Sequence, residues 1–331
     1  MRTVPPVATA ALEDRAFFAR AWAGGWVIAL EGGDVLVLDV DLRVRARVAA
    51  DRRPDDVTLD RTGSVLVRAS RQGLSAIALD RGDAVWRAQG HFLGCDVVGD
   101  RLWSAEAHGR EVELAVRGVA TGEVRCAVRT ADPFGGSAVM FVAPPDERST
   151  IAWLAAGQDG QLALLATHDG ATIDVVEIGP RNRLPPVFAA DGRTYLSAGD
   201  EVLERYAWPS GACLGRTPWP FAGDDDEDGP GSDVQLLPGG HATWSSTNGR
   251  IYLVELGAMR VVGELVIGGH PLRTVEDVFP ELRGERAPCT DFEYAEPGPD
   301  GMILSVHAQS QLVVTRSRDW SPAPSRVLES P

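Results

Sequence analysis

The chain of 331 residues contains no lysine, so all 32 of its basic side chains are arginine. That absence excludes Schiff-base chemistry, acetylation and ubiquitin-like conjugation on a side-chain amine. It also excludes a GxxxxGK[ST] phosphate loop, which needs a lysine against the phosphates. An all-arginine chain is what GC-rich coding produces, and it points to a bacterial protein. Cysteine is sparse as well: Cys95, Cys126, Cys213 and Cys289 lie tens of residues apart, with no CxxC pair among them. Metal-ligand and redox spacings are therefore missing, and four free thiols serving as small apolar side chains are expected. No apolar run approaches the roughly 18 residues of a membrane span. The opening MRTVPPVATAALEDRAFFAR holds no uninterrupted stretch of signal-peptide length. A cytoplasmic protein without a membrane partner is the expectation.

Positive charge is in short supply: 47 acidic against 32 basic residues leave a net charge of −15. Nucleic-acid binding draws on clustered cations that displace counterions from phosphates, so nucleic acid is not expected as a partner. Catalytic constellations are also missing. The six histidines (His91, His108, His168, His241, His270 and His307) fall singly, with no HxH or HExxH, and no GxSxG elbow occurs. No catalytic residue, no metal ligand and no cofactor is assigned, and the reading leans away from an enzyme.

What the chain does have is a repeat. The 36 glycines and 22 prolines recur along its whole length, as short strands joined by tight turns require. One turn reads EGGD (31–34), SRQG (70–73), AHGR (107–110), GQDG (157–160), SAGD (197–200) and TNGR (247–250), with a glycine-free seventh copy, HAQS (307–310). Anchoring on Gly33, Gly73, Gly109, Gly160, Gly199, Gly249 and Gln309 gives gaps of 40, 36, 51, 39, 50 and 60 residues. A propeller repeat runs at about 40–45 residues, with insertions falling in loops. A second turn keeps the register: AGGW, RTGS, VGDR, PDERS, ADGR, PGGH and GPDG. A third does the same: DVD, DRGD, ATGE, HDGA, PSGA, LGAM and SRD. Between turns stand runs of four to seven residues such as VLVLDV and IYLVEL, too short and too rich in Val, Leu and Ile for helices.

These phased turns predict an all-β chain, a single seven-bladed β-propeller with four antiparallel strands per blade. The approximate blades are 12–48, 51–90, 91–130, 131–180, 181–220, 221–269 and 270–329. The outer strand of the seventh blade is left between Arg326-Val327-Leu328 and the N-terminal segment near residues 3–9. The stretches at 138–173, 119–130 and 208–217, with Gly90-His91 and Gly269-His270 just after an outer strand, resemble degenerate WD-type propeller repeats. The Trp-Asp dipeptide of that family is absent, its nearest relics being Leu38-Asp39 and Leu79-Asp80. The resemblance implies a fold and a habit of binding protein partners; it implies no catalytic residue.

Function is sought where the chain exceeds the repeat. Two connections between blades are long, 217–232 and 268–291, and they flank the sixth repeat on one face. Long loops in a compact domain are functional or disordered. The first carries Asp224, Asp225, Asp226, Glu227 and Asp228, a self-repelling run that stays solvated, without the alternation of a calcium loop. Beside it, Trp219 and Phe221 either anchor a partner or tuck the loop onto the propeller. In the second, Leu272, Val275, Phe279 and Leu282 recur at helical spacing, with Thr274 as N-cap and Pro280 ending the turn near Phe279. The leading expectation is a non-catalytic interaction module that docks a protein partner, basic in character, through Trp219, Phe221, the acidic run and Phe279. One alternative is a propeller hydrolase or lactonase with a divalent metal in the central channel, which requires acidic residues converging on the axis. Another is a regulated bacterial signalling or defence component cleaved within 222–232.

Overall fold

The computed structural model describes residues 1–321 apart from 50–51, 145–147, 157–159, 190–191, 200, 221–227, 279, 281, 283 and 285–286. Seven four-stranded antiparallel sheets stand in a ring, strand a of each at the axis and strand d outside. Blade 1 comprises Ala16–Trp22, Gly25–Leu30, Val35–Asp39 and Val44–Val48. Blade 2 comprises Asp56–Leu59, Val65–Ser70, Gly73–Ala78 and Ala84–Gln89; blade 3, Phe92–Val98, Arg101–His108, Glu111–Gly118 and Val124–Ala131. Blade 4 runs through Ala138–Val142, Ser149–Ala156, Gly160–His168 and Ile173–Ile178; blade 5, through Val187–Phe188, Thr194–Ala198, Val202–Ala207 and Cys213–Pro218. Blade 6 is built from Pro230–Leu237, His241–Ser246, Ile251–Glu255 and Arg260–Ile267. The turns read from sequence fall at the corners between these strands.

Closure uses the beginning of the chain. Blade 7 takes strands a to c from Phe292–Pro297, Met302–His307 and Gln311–Arg316, and its outer strand from Ala8–Ala11, which pairs antiparallel with Gln311–Val314. Just before it, Arg2–Val4 adds a fifth, parallel strand to blade 6 against Leu265–Ile267. Of the two closing strands the sequence left open, the N-terminal one closes the ring; residues 326–328 lie outside the described residues. The SRD segment, read as a strand-to-strand turn, is instead a helical turn, Ser317–Trp320. Its driving force is Trp320, fully buried in the apolar cluster between blades 6 and 7, with its indole N–H donated to Thr315 Oγ1 at 2.7 Å.

Burial explains the strand pattern. Strands b and c are pressed between neighbouring blades, so Gly25–Leu30 is buried at every position, as for sheets covered on both faces. Outer strands meet water on one side and alternate, as Ala84–Gln89 does. Among the described residues, six apolar clusters fill the seams between blades 1/2, 2/3, 3/4, 5/6, 6/7 and 7/1. The 4/5 seam differs. It holds an ion pair, Arg183 to Glu204 at 3.1 Å, a stacked Tyr195–Tyr206 pair, and a gap of about 20 Å³.

All four thiols are free, as the cysteine spacing predicts; Cys95, Cys126 and Cys289 are buried and Cys213 is exposed. A thiol reagent is expected to label one cysteine of the native protein rapidly and four after denaturation. Two labelled sites in the denatured, unreduced chain would reveal a disulfide.

Candidate functional site

The two long connections meet at one place. The turn at 247–249 in blade 6 stands between them and is hydrogen-bonded to both. On one side Thr247 N–H donates to Gly229 O (2.9 Å) and Asn248 N–H to Asp228 Oδ1 (3.1 Å). On the other, Thr290 N–H donates to Asn248 O (2.9 Å) and its hydroxyl to Gly249 O (2.5 Å). Gly249 is required here. Its φ is +72°, and a Cβ would lie 2.6 Å from Phe292 O and 2.8 Å from Thr290 O.

Trp219 and Asp228 form the base of the first connection. Trp219 is only 4% exposed and packs edge-on against Trp244 and Tyr252, with ring centroids 4.7 and 5.3 Å apart. Its indole N–H donates to Asp228 O at 2.9 Å, so the ring tucks the connection onto the propeller. Asp228 departs from the solvated acidic run expected of 224–228. It is 2% exposed, with Tyr252 Oη 3.4 Å and Arg250 Nη1 3.5 Å from its carboxylate. Burial pushes its pKa up, against hydrogen bonds and the Arg250 charge that lower it. Phe221, Asp224, Asp225, Asp226, Glu227 and Phe279 lie outside the described residues. What is described is that the two ends of that segment are held together.

The second connection follows the sequence reading at its start. Thr274 caps a single helical turn, Val275–Val278, in reciprocal fashion: Asp277 N–H donates to Thr274 Oγ1 (3.3 Å) and Thr274 N–H to Asp277 Oδ2 (3.2 Å). Val275 is buried; Leu282 is 45% exposed. A short pairing of Arg273–Thr274 with Pro288–Cys289 closes the loop. At its foot the structure joins two histidines that stand singly in sequence. His270 and His307 stack with centroids 3.8 Å apart, and their Nδ1 atoms lie 2.9 and 3.1 Å from Asp291 Oδ1. Burial would raise the Asp291 pKa, but hydrogen bonds from His307 and His270 hold it at about 2. Burial lowers the pKa of His307, whose other nitrogen meets Ser305 Oγ at 3.0 Å.

A second candidate is the axial channel, of about 980 Å³. Its wall is uneven. Blades 7, 1, 2 and 3 turn Glu296, Arg20, Asp56 and Asp96 toward it, whereas blades 4 and 5 offer Met140, Val142 and Phe188. The Arg20 guanidinium lies 3.2 Å from both Asp56 and Asp96 and donates to Cys95 O at 2.9 Å. Asp56 also accepts Cys95 N–H (2.9 Å), Asp96 accepts Thr58 Oγ1 (2.9 Å), and Glu296 accepts Ala21 N–H (2.9 Å). Burial opposes the charge of Arg20, yet Asp56, Asp96 and Glu296 attract it strongly enough to hold it protonated. Burial raises Asp56 to about 6 in spite of Arg20, and Glu296 to about 7; nearby Asp233, bonded to Gln235 and Ala295 N–H, also rises to about 6. Acidic residues thus converge on the axis, as the hydrolase alternative requires. The cation among them is Arg20, and Asp56 Oδ1 and Oδ2, Asp96 Oδ1 and Glu296 Oε1 are already engaged by it, by the Thr58 hydroxyl or by backbone amides. These side chains do not fit a divalent metal at that point. Sequence reasoning did not single them out, because each sits alone in a different repeat; the available signal was a charge inside an apolar strand a, as in AFFARAW and FLGCDVV.

No family model and no curated protein matches the chain. Solved structures do, and they share the fold at low identity. The β-propeller domain of Cps50 (Swd1) from Myceliophteria thermophila superposes with a TM-score of 0.63 at 11% identity, over 94% of this chain and 99% of that one. BamB from Moraxella catarrhalis gives 0.61 at 16%, over 95% and 99%. A chain of the mitotic checkpoint complex gives 0.66 at 10%, over 94% and 95%.

Replacing Arg20 by Met leaves Asp56 and Asp96 without their cation, which costs about 3 kcal/mol and lowers the melting temperature by about 4 °C. Because Glu296 has a raised pKa, its favourable contribution is complete below pH 4 and is lost as pH rises through about 7. Glu296→Gln is therefore expected to gain stability relative to wild type between pH 5 and pH 8. Melting curves in which that difference is flat or reversed would contradict the assignment.

Proposed function

We propose that this propeller is a non-catalytic docking module that takes a basic protein partner on the face where the two long connections meet. The observation that supports the reading best is the shared anchor at 247–249: the described ends of both insertions beyond the repeat are tied to one turn. Within the first insertion, the run Asp224 to Glu227 lies between ends held by the Trp219–Asp228 bond. Four consecutive carboxylates on a chain of net charge −15 favour a partner of opposite sign, and steer its approach more than they tighten its grip. The other connections between strands are shorter than these two, and ring closure leaves only protected edges. The mitotic checkpoint complex, one of the similar structures, shows a propeller of this shape within a multiprotein assembly. Committed lone pairs around Arg20 favour this reading over a channel hydrolase.

The roles of the aromatic residues divide accordingly. Phe221 and Phe279 are the proposed apolar contacts beside the acidic run, and Trp219 holds the base. Trp219→Ala is expected to cost about 3–5 kcal/mol in stability and to affect binding only through that loss.

The test neutralises charge without cutting the anchored ends. The variant Asp224→Asn, Asp225→Asn, Asp226→Asn, Glu227→Gln should melt within about 2 °C of wild type, since solvated surface charges contribute little. It should lose most capture of partner from a lysate of the source cells at low salt. A control on the opposite face, Asp80→Asn with Asp83→Asn, should capture as wild type does. Undiminished capture by the loop variant, or equal loss in the control, contradicts the proposed face.

A further inference from the structure

Blade 3 carries a polar group that neither the channel nor the long-loop face uses. Its strands Arg101–His108 and Glu111–Gly118 pair with Glu106 directly opposite Glu113, and His108 opposite Glu111. Strand alternation places these side chains on one side of the blade, together with Leu102, which packs against blade 2. Glutamates directly opposite one another across a ladder repel. Between them the His108 ring presents Nε2, 3.9 Å from Glu106 Oε1 and 3.8 Å from Glu113 Oε2. Those separations exceed hydrogen-bonding reach. The nitrogen is shielded from solvent and has no hydrogen-bond partner, a state that is costly for a polar atom. Arg117 and Arg129 already offset part of that repulsion; a cation at the centre of the three groups removes the rest and gives the orphaned nitrogen a partner.

The geometry suits a metal ion. The three ligand atoms lie within 4.8 Å of one another. Around a tetrahedral ion at about 2.0–2.2 Å, ligand atoms stand about 3.4 Å apart, so the two histidine–carboxylate separations need to contract by about half an ångström at the ends of flexible side chains. Arg129 Nε donates to Glu113 Oε2 at 3.1 Å, the oxygen that faces His108, so this oxygen is shared with the guanidinium or the carboxylate turns its other oxygen to the ion. Gly90 makes room: a Cβ there would sit 2.3 Å from Glu106 Oε1. The cluster of His270, Asp291 and His307 also gathers potential ligands, but its imidazoles stack face to face and their Nδ1 atoms are already hydrogen-bonded to Asp291. That cluster is a closed pin holding the foot of the second connection.

We propose that Glu106, His108 and Glu113 bind a divalent first-row transition-metal ion through one imidazole nitrogen and two carboxylates, with water completing the coordination. The nitrogen ligand selects Zn²⁺ and its neighbours over Mg²⁺ and Ca²⁺, which prefer all-oxygen sites.

The experiment is a calorimetric titration of the chelator-treated full chain with Zn²⁺, run beside His108→Ala, Glu106→Gln and His270→Ala. Wild type should show one saturable site. Affinity should fall at least tenfold in His108→Ala and in Glu106→Gln and stay unchanged in His270→Ala, each variant being titrated at a temperature below its own melting point in chelator. Absence of a saturable site, binding unaffected by His108→Ala, or loss of binding in His270→Ala overturns the proposal. A measurement on wild type alone guards against a variant that fails to fold. Zinc-edge X-ray absorption of the complex should read a single imidazole among oxygen ligands, and two imidazoles or any sulfur would overturn the assignment.

Discussion

Eight hydrogen-bonding residues hold the ring shut. Ala8–Ala11 pairs with Gln311–Val314, and the flanking amides extend the seam: Val7 N–H donates to Val314 O (2.7 Å), Leu12 N–H to Ser310 O (2.8 Å) and Ala16 N–H to Gln309 O (2.6 Å). Without this pairing blade 7 would be a three-stranded sheet with an open edge, and the apolar surface between blades 7 and 1 would lose its outer cover. Parallel pairing of Arg2–Val4 with blade 6 carries the same segment across a second blade, with Val4 fully buried. A dozen residues thereby join sheets that are distant in sequence, at a loop-closure cost that grows only slowly with length.

Closure fixes what happens at the axis and at the rim. Seven inner strands must converge, so isolated charges from separate repeats become neighbours: Arg20 meets Asp56, Asp96 and Glu296. One charged and one apolar wall follow from which blades carry those residues. At the rim, the same ring sets the two long connections on either side of the 247–249 turn. The 4/5 seam is the exception, since a partly buried ion pair and a small gap stand there and no apolar cluster spans it among the described residues. Ion pairs taken out of water stabilise less than well-packed apolar contacts of similar volume, which makes that seam the place where the ring should open first on destabilisation.

The fold was legible because turns punctuate it. Glycine at positive φ, as at Gly63, Gly82, Gly122 and Gly211, is a backbone demand that leaves a mark in sequence, and three such marks repeated in phase fix blade number and register. Closure was half legible, since a strand of the type ATAA at 8–11 carries no turn signal of its own, and Trp320 converts the segment after Arg316 into a helical turn by burial rather than by local propensity. The candidate sites were far less legible. Asp228 read as a solvated group because acid surrounds it, and Trp219 was left open between a partner anchor and a tuck onto the propeller; the burial of Trp219 comes from Trp244 and Tyr252, 25 and 33 residues later. The clusters at Arg20 and at Asp291 are joined by ring geometry across repeats, and no local pattern records that kind of proximity; the Glu106 cluster lies within one hairpin, where its legibility depended on the ladder register that sets Glu106 opposite Glu113.

The N-terminal segment closes the ring, and native-state hydrogen exchange tests this directly. Amides of Val7, Leu12 and Ala16, with those of the paired strand Gln311–Arg316, are predicted to exchange as slowly as the inner strands of blades 2 and 3, through global unfolding alone. Exchange at these amides orders of magnitude faster than in blades 2 and 3 would show an open seam and contradict the account.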